Sequence, residues 1–295
     1  MVVQKNPGFA PGADWTSNAV IVDFPLTLNL HVQRSTLSSS NTGHFTIYNL
    51  QDATRRQILK DWFDNDVNHM RKMILYAGYL SETQQGKTIP AIFHGDIQWA
   101  YSYRQKQDWI TEIEAFDGGD ALQNGQVDVS APSGYDLKSV IASVIGTLPG
   151  VSQGVIGNVA AAQSSRGLCL SGNSWEVLKK LAPDAEVYVD DEKVNVMAKN
   201  DYIQTGAAVP LISSDTGLLE TPRKFNDRIE VKILFEPTMR VGMLVKIQSI
   251  ETFYNGLFCV KGVTHSGTIS GAIGGQMITT LSVWRGTEGL KGVNG

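Results

Sequence analysis

Apolar and polar residues alternate along most of this chain. In residues 19–34, AVIVDFPLTLNLHVQR, the side chains of Leu26, Leu28, Leu30 and Val32 fall on one side. Thr27, Asn29 and His31 fall on the other. That is the period of a strand with one buried face. Three further stretches repeat it: HFTIYNL at 44–50, MRKMILYAGY at 70–79 and IPAIFHGDIQWAYSYRQKQDWITEIEAFDGG at 89–119. One segment, DATRRQILKDWF at 52–63, switches to a helical period, with Ile58 and Trp62 one turn apart. The Pro- and Gly-containing residues before Asn18 read as an arm.

The pattern then changes. YDLKSVIASVIG at 135–146 predicts a helix capped by Asp136, with Val140, Ile141, Val144 and Ile145 inward. NSWEVLKKLA at 173–182 predicts a second helix, in which Asn173 and Glu176 have capping-box spacing. Its apolar side is Trp175, Leu178 and Leu181. EVYVDDEKVNVMAK at 186–199 reads as a hairpin turning at Asp190, Asp191 and Glu192. Strand patterns return in RIEVKILFEP, MLVKIQSI, GLFCVKGV and QMITTLSVW, and the residues after Arg285 read as a loose tail.

The two β-rich stretches echo each other. Each has a glycine, Gly95 or Gly262, ahead of a polar or aromatic connection. Each re-enters an alternating strand through an Ile-Thr step, Ile110-Thr111 or Ile278-Thr279. The expectation is a mainly β protein with an α+β insert: two similar antiparallel β-barrel domains flanking a small α/β domain. The expected division is an arm at 1–18, a first barrel at 19–128, the small domain at 129–210, and a second barrel with a tail at 211–295.

Composition narrows the function classes. Of 295 residues only 18% are charged, against 42% hydrophobic, the net charge is −4, and no basic block occurs. A protein that grips a phosphate backbone carries a basic patch or stripe. Cys169 and Cys259 sit in apolar strand-like surroundings and read as buried free thiols. No apolar run approaches a membrane span, and the expectation is a soluble product of a cytoplasm.

Candidate chemistry is sparse. Asp215-Thr216-Gly217 matches an aspartic-protease tripeptide, but that reaction needs two carboxylates sharing a proton, and no second copy of the motif occurs. The five histidines, His31, His44, His69, His94 and His265, have no metal-ligand spacing. His94 and Asp96 would share a strand face and read as a surface pair. Arg55-Arg56 and Lys179-Lys180 read as solvated. Trp99, Tyr101 and Tyr103 share a face at a spacing of two, as a barrel wall, a subunit contact or a sugar platform. Within GVTHSGTISGAIGGQMITTLSVW at 262–284, Gly262 and Gly267 around His265 point to a strand bend and loop entry. No catalytic residue, metal ligand or cofactor site is expected.

The ordered pieces resemble a known family. FHGDIQWAYSYRQKQDWITEIEAFDGG, with the helix after TIYNL and the strand ending LYAGY, looks like the first barrel of bacteriophage tail hub proteins, the trimeric baseplate hubs of the late-control family. RGLCLSG before a helix, YVDDEKVNVM, SSDTGLLETP, LFEPTMRVGMLVKI and YNGLFCVKGVTHSGT follow in the family's order, so the resemblance spans about residues 19–285. Gly217, Leu218 and Pro222 match the segment leading into the second barrel; Asn255, Gly256, His265 and Gly267 match residues within it. Thr268 stands where many relatives carry Asp. The resemblance implies a structural, non-enzymatic role in the virion: a homotrimeric, pseudo-sixfold ring. It would have the tail tube or a tube-initiator protein above, a central spike or needle below, and baseplate wedge or other tail-tip proteins around it. DNA would pass only in transit. Gly95, Trp99, Tyr101 and Gly262 are the further assembly candidates. The alternatives are a distal-tail or tube-initiator ring, a cell-wall hydrolase and a receptor-binding component.

Overall fold

The computed structural model describes residues 1–4, 19–23, 25–59, 70–79, 81–82, 85–159, 167–225, 227–271, 275–286 and 289–295. The alternating stretches become strands. β1 (Val2–Gln4), β2 (Ala19–Ile21), β3 (Leu28–Ser35) and β4 (Thr42–Tyr48) precede helix α1 (Asp52–Ile58). β5 (Arg71–Tyr76), β6 (Ala91–Gln105) and β7 (Asp108–Phe116) lead to α2 (Gly119–Asn124). The insert contains β8 (Gln126–Ala131), α3 (Leu137–Ile145), β9 (Ser152–Ile156), β10 (Leu168–Asn173), α4 (Ser174–Leu181), β11 (Ala185–Asp190) and β12 (Lys193–Ala198). The remaining strands are β13 (Asp201–Gln204), β14 (Leu211–Ile212), β15 (Arg223–Phe225), β16 (Arg228–Leu234), β17 (Leu244–Ile247), β18 (Gly256–Ile269), β19 (Met277–Trp284) and β20 (Lys291–Asn294).

Most strands join one 13-stranded sheet, whose main path is β15-β16-β19-β18-β3-β4-β7-β6-β5-β1-β2. β17 adds to the first part of β18 and carries β14. The sheet contains the same five-strand order twice, as β3-β4-β7-β6-β5 and as β15-β16-β19-β18-β17, with every pair antiparallel. The Ile-Thr steps occupy matching places: Thr111 pairs with Ser102 and Thr279 with His265. The glycines do not. Both β6 and β18 shift register by one residue, between Ile97 and Trp99 and between Val260 and Gly262. Gly262 therefore corresponds to Trp99, and Gly95 lies earlier in its strand.

Neither block closes into a barrel. Closure would need the outer edge of the first strand to meet the other end of the same block. The outer edge of β3 instead pairs with β18 over eight residues, from Gly262 opposite Ser35 to Ile269 opposite Leu28. β17 spends its outer edge on β14. The expected pair of barrels is thus one open, mainly β sheet with a small helix-containing insert. Alternation in sequence fixes which side chains point inward, but not which edges meet.

The inward residues build three apolar clusters. The first block buries Leu30, Val32, Phe45, Ile47, Ile92 and Phe93. The second buries Val231, Val245, Phe258, Val260, Val263 and Leu281. The insert packs Ile141, Val144, Trp175 and Leu178 over Val187, Val194 and Val196. Its helices start as their caps dictate: the Asp136 carboxylate accepts from Ser139 N, and Asn173 Oδ1 accepts from Trp175 N and Glu176 N.

Several expectations need correction. Val2–Gln4 is a strand paired with β2 and β5 rather than part of an arm, while 5–18 lie outside the described residues. Lys291–Asn294 pairs in parallel with β13 and is not a loose tail. Cys169 is exposed, and only Cys259 is buried. Arg55 is buried, with its guanidinium 3.6 Å from the Trp109 ring centroid, where cation–π attraction offsets its desolvation. Trp62 and Phe63 lie outside the described residues, as do His69 and 272–274 of the glycine-rich run.

Candidate functional site

The charged residues converge where the hairpin of the insert meets the sheet. Arg34 occupies an inward position of β3, in phase with Leu28, Leu30 and Val32, and is 1% exposed. An unpaired charge there would be prohibitive. Its Nη1 donates to Asp190 Oδ1 at 2.8 Å, its Nη2 to Asp191 Oδ1 at 2.7 Å, and its Nε to the Ile92 carbonyl at 3.1 Å. Arg240 reaches the same turn, donating through Nε to Asp191 Oδ2 at 3.1 Å and through Nη2 to the Ala91 carbonyl at 2.6 Å. Asn41 donates to Asp190 Oδ1 at 2.7 Å, and Asp117 Oδ1 accepts from Glu192 N at 3.0 Å. Lys72 bonds Glu192 and lies 3.7 Å from Asp96.

This network holds an unusual turn. Asp191 and Glu192 have φ of 51° and 59°, a left-handed pair that two-residue hairpins normally assign to Asn-Gly. Side-chain and backbone contacts from both five-strand blocks fix a conformation that Asp and Glu do not favour alone. A second buried pair ties the insert to the sheet: Lys261 Nζ donates to Glu186 Oε2 at 2.8 Å.

The electrostatics follow from burial and mutual charge. Burial alone would lower the Arg34 pKa, but Asp190 and Asp191 outweigh it and hold the guanidinium firmly protonated. Burial also pushes up Asp190, while Arg34 and Arg240 bring Asp191 below the usual carboxylate range despite its burial. Asp117 is driven well up, first by burial and then by Asp190. Carboxylate oxygens of Asp117, Asp190 and Asp191 lie within 4.8 Å of one another, a spacing that suits a cation. Arg34, Arg240 and Asn41 already face them, so the protein itself supplies the countercharge.

His265 stands beside this network on β18, fully buried, with Nδ1 2.9 Å from Thr279 Oγ1 and its ring edge-on to Phe235 at 5.4 Å. Burial, then Arg34 and Arg240, lower its pKa to about 3. It is a neutral core histidine that lines up with Ser102, whose hydroxyl meets Thr111 at 2.7 Å in the other block.

The other expected residues take separate structural places. Gly95 lies beneath the Phe93 ring, where a Cβ would come within 2.5 Å of a ring carbon. Trp99, Tyr101 and Tyr103 form an outward ladder with centroid spacings of 5.2 and 5.9 Å, and both tyrosine hydroxyls donate to Glu112. Gly217 ends a single 3-10 turn at φ 106°, Leu218 bridges to Ile233, and Pro222 is buried. Asp215 is exposed in that turn, which is built by Thr216 Oγ1 accepting from Ser213 N at 2.8 Å. Asn255 Oδ1 accepts from Ser249 N at 2.7 Å, and Gly256 opens β18 at φ 142°. Gly262 follows the register shift, and Gly267 has φ 149°, where a Cβ would sit 1.9 Å from the Gln276 carbonyl oxygen.

Sequence reading missed Arg34, Asn41 and Arg240, and treated Asp117, Asp190, Asp191 and Glu192 only as turn residues. One signal was available: Arg34 continues the buried phase of β3. His94 and Asp96 are not a surface pair, since Asp96 is buried against Lys72 and accepts from Asp120 N at 3.0 Å.

Comparison with known proteins now adds the family. The family described as "Baseplate hub gp41" matches residues 12–265. The chain belongs to that family. It is a structural, non-enzymatic baseplate hub protein of a phage tail, and its place is the tail baseplate of the virion. A comparison with curated proteins gives no match. Among solved structures, the 43 kDa tail protein of prophage MuSo2 from Shewanella oneidensis is similar at TM-score 0.55 and 10% identity, over 88% of this chain and 97% of that one. The tail protein from Neisseria meningitidis MC58 is similar at TM-score 0.59 and 8% identity, over 88% and 95%. A chain of the half-lidded Francisella PdpA-VgrG complex is similar at TM-score 0.51 and 8% identity, over 90% of this chain and 55% of that one. At such identities the likeness is one of fold. The baseplate hub reading thus joins a family match to a shared sheet architecture, with buried ion pairs fastening the insert to that sheet.

Proposed function

We propose that this baseplate hub protein works as a homotrimeric ring with pseudo-sixfold symmetry. The ring adapts a sixfold tail tube, or its initiator protein, to a threefold central spike or needle, and it frames the channel through which DNA leaves. The observation that carries this reading is the repeated five-strand order within one chain. Three copies present six like blocks, which is what a threefold assembly needs in order to meet sixfold symmetry. In the same reading, 19–128 and 211–295 are the ring-forming units, 129–210 the small domain between them, and 1–18 an arm. Baseplate wedge or other tail-tip proteins pack outside.

The uncovered sheet face supports the channel role. It carries His31, Gln33, His44, Glu112, Glu114, Thr264 and Thr280, and on β16 Arg228 and Lys232 with Glu230 between them, so that basic and acidic groups are mixed. Gln33 and Phe225, with three strands between them in sheet order, line one hollow of about 220 Å³ on this face. DNA would pass such a wall without being held by charge. Native mass measurement of the purified protein at assembly-like concentration tests the stoichiometry. Three copies are expected; six would favour a distal-tail or tube-initiator ring, and monomer alone would end the ring reading.

A further inference from the structure

Both five-strand blocks contain a long strand whose first part is paired on both edges and whose second part extends beyond its short neighbour. In the second block this strand is β18. β17 covers residues 256–259, and the exposed remainder of the same edge is taken by β3. In the first block it is β6. β5 covers positions up to Ile97, and from Trp99 to Gln105 the only strand paired with β6 among the described residues is β7. Among the described residues the first strand of the second block, β15, pairs only with β16. The molecule thus contains one completed junction, β18 with β3, and the two separate halves of an equivalent one.

We propose that β15 of one copy pairs antiparallel with the free edge of β6 in a second copy, repeating the β18–β3 junction between subunits. The inference rests on the ring proposed above and adds its contact surface and register. Matching the strand pairs places Arg223 where His31 stands and Phe225 where Gln33 stands. Tyr103 takes the place of Ser266, and Tyr101 that of Thr264. Within the chain His31 faces Ser266 and Gln33 faces Thr264. Between copies, therefore, Arg223 faces Tyr103 and Phe225 faces Tyr101.

The side chains suit that register. Phe225 is 71% exposed, Tyr101 43% and Tyr103 38%; they are large aromatic groups of the kind that interfaces cover. Arg223, 66% exposed, would approach Glu112, the carboxylate that already receives both tyrosine hydroxyls. Exposed strand edges left without such a cover are sites of uncontrolled association.

The test is a paired-cysteine chain carrying Phe225→Cys and Tyr101→Cys, with Cys169→Ser to remove the exposed thiol. Opposed positions on neighbouring strands lie close enough for a disulfide. Mild oxidation is expected to give a covalent three-copy species on a denaturing gel, lost on reduction. A control chain with Phe225→Cys and Tyr76→Cys is expected to stay unlinked. A trimer by native mass that forms no covalent species overturns the strand pairing and leaves the ring standing; monomer alone overturns both. Should the cysteine chains not assemble, amide exchange of the unaltered protein decides. Greater protection of residues 99–105 in the trimer than in the monomer supports the pairing, and equal exchange refutes it.

Discussion

His265 and Thr279 face each other across the β18–β19 pair, Nδ1 to Oγ1 at 2.9 Å, with both residues wholly buried. The histidine is therefore part of the core and titrates against the fold. Its folded pKa of about 3 lies below the ordinary 6.5, from burial first and then from Arg34 and Arg240. The unfolded chain binds the proton first as pH falls, so the contribution is present above pH 6.5 and is lost on descending toward pH 3. Relative to His265→Asn, the wild-type protein should lose about 1.4 kcal/mol of stability per pH unit in that window. Denaturant melts of both proteins from pH 7 to pH 4 measure it; parallel pH profiles would reject the neutral buried assignment.

Removing Arg34 should be costly for a different reason. Arg34→Ala leaves Asp190 and Asp191 in the same buried turn without their main cation. The expected loss is about 3–5 kcal/mol, the usual cost of breaking a buried pair by deleting one partner. Urea unfolding followed by circular dichroism checks this, and a loss below about 1 kcal/mol would show that the network contributes little. Asp215→Asn, in the exposed 3-10 turn, should change stability by less than about 0.5 kcal/mol in the same assay.

Gly267→Ala should disturb the turn into the glycine-rich run. The position combines φ 149° with a would-be Cβ 1.9 Å from the Gln276 carbonyl oxygen, so neither backbone freedom nor space remains for a side chain. A loss exceeding about 1 kcal/mol is expected. Gly134→Ala, at φ 81° with nothing within 4 Å, carries only the backbone penalty and should be milder. Thermal melts of the two variants rank them directly.

Much of the fold was legible because alternation and capping are local. Asp136 and Asn173 cap the helices that their spacing implies, and the Ile-Thr steps occupy matching places in two strands. What was not legible is how edges meet. Nothing in the pattern of 28–35 says that its outer edge belongs to β18, so two closed barrels were as consistent with alternation as one open sheet. The polar network was hidden for a related reason. Asp190 and Asp191 look like ordinary turn residues until the sheet brings Arg34 from 156 positions away and Arg240 from the other side. Trp99 and Gly262 are equivalent only through the register shifts, which residue identity does not reveal.

The two thiols should separate by reactivity. Cys169 is exposed, whereas burial raises the Cys259 pKa to about 11, and thiolate is the reactive form. A maleimide reagent at pH 7 should label Cys169 alone in the folded protein and both residues in denaturant, read by peptide mass. Rapid labelling of Cys259 without denaturant would contradict its place in the core.

The central claim is that the two like blocks of one chain serve a ring of three copies. Electron microscopy of the assembled ring, averaged without imposed symmetry and with the copies counted, tests it most directly. The account predicts three chains presenting six similar lobes around an open centre. A ring of six chains, or particles containing one chain each, would contradict it.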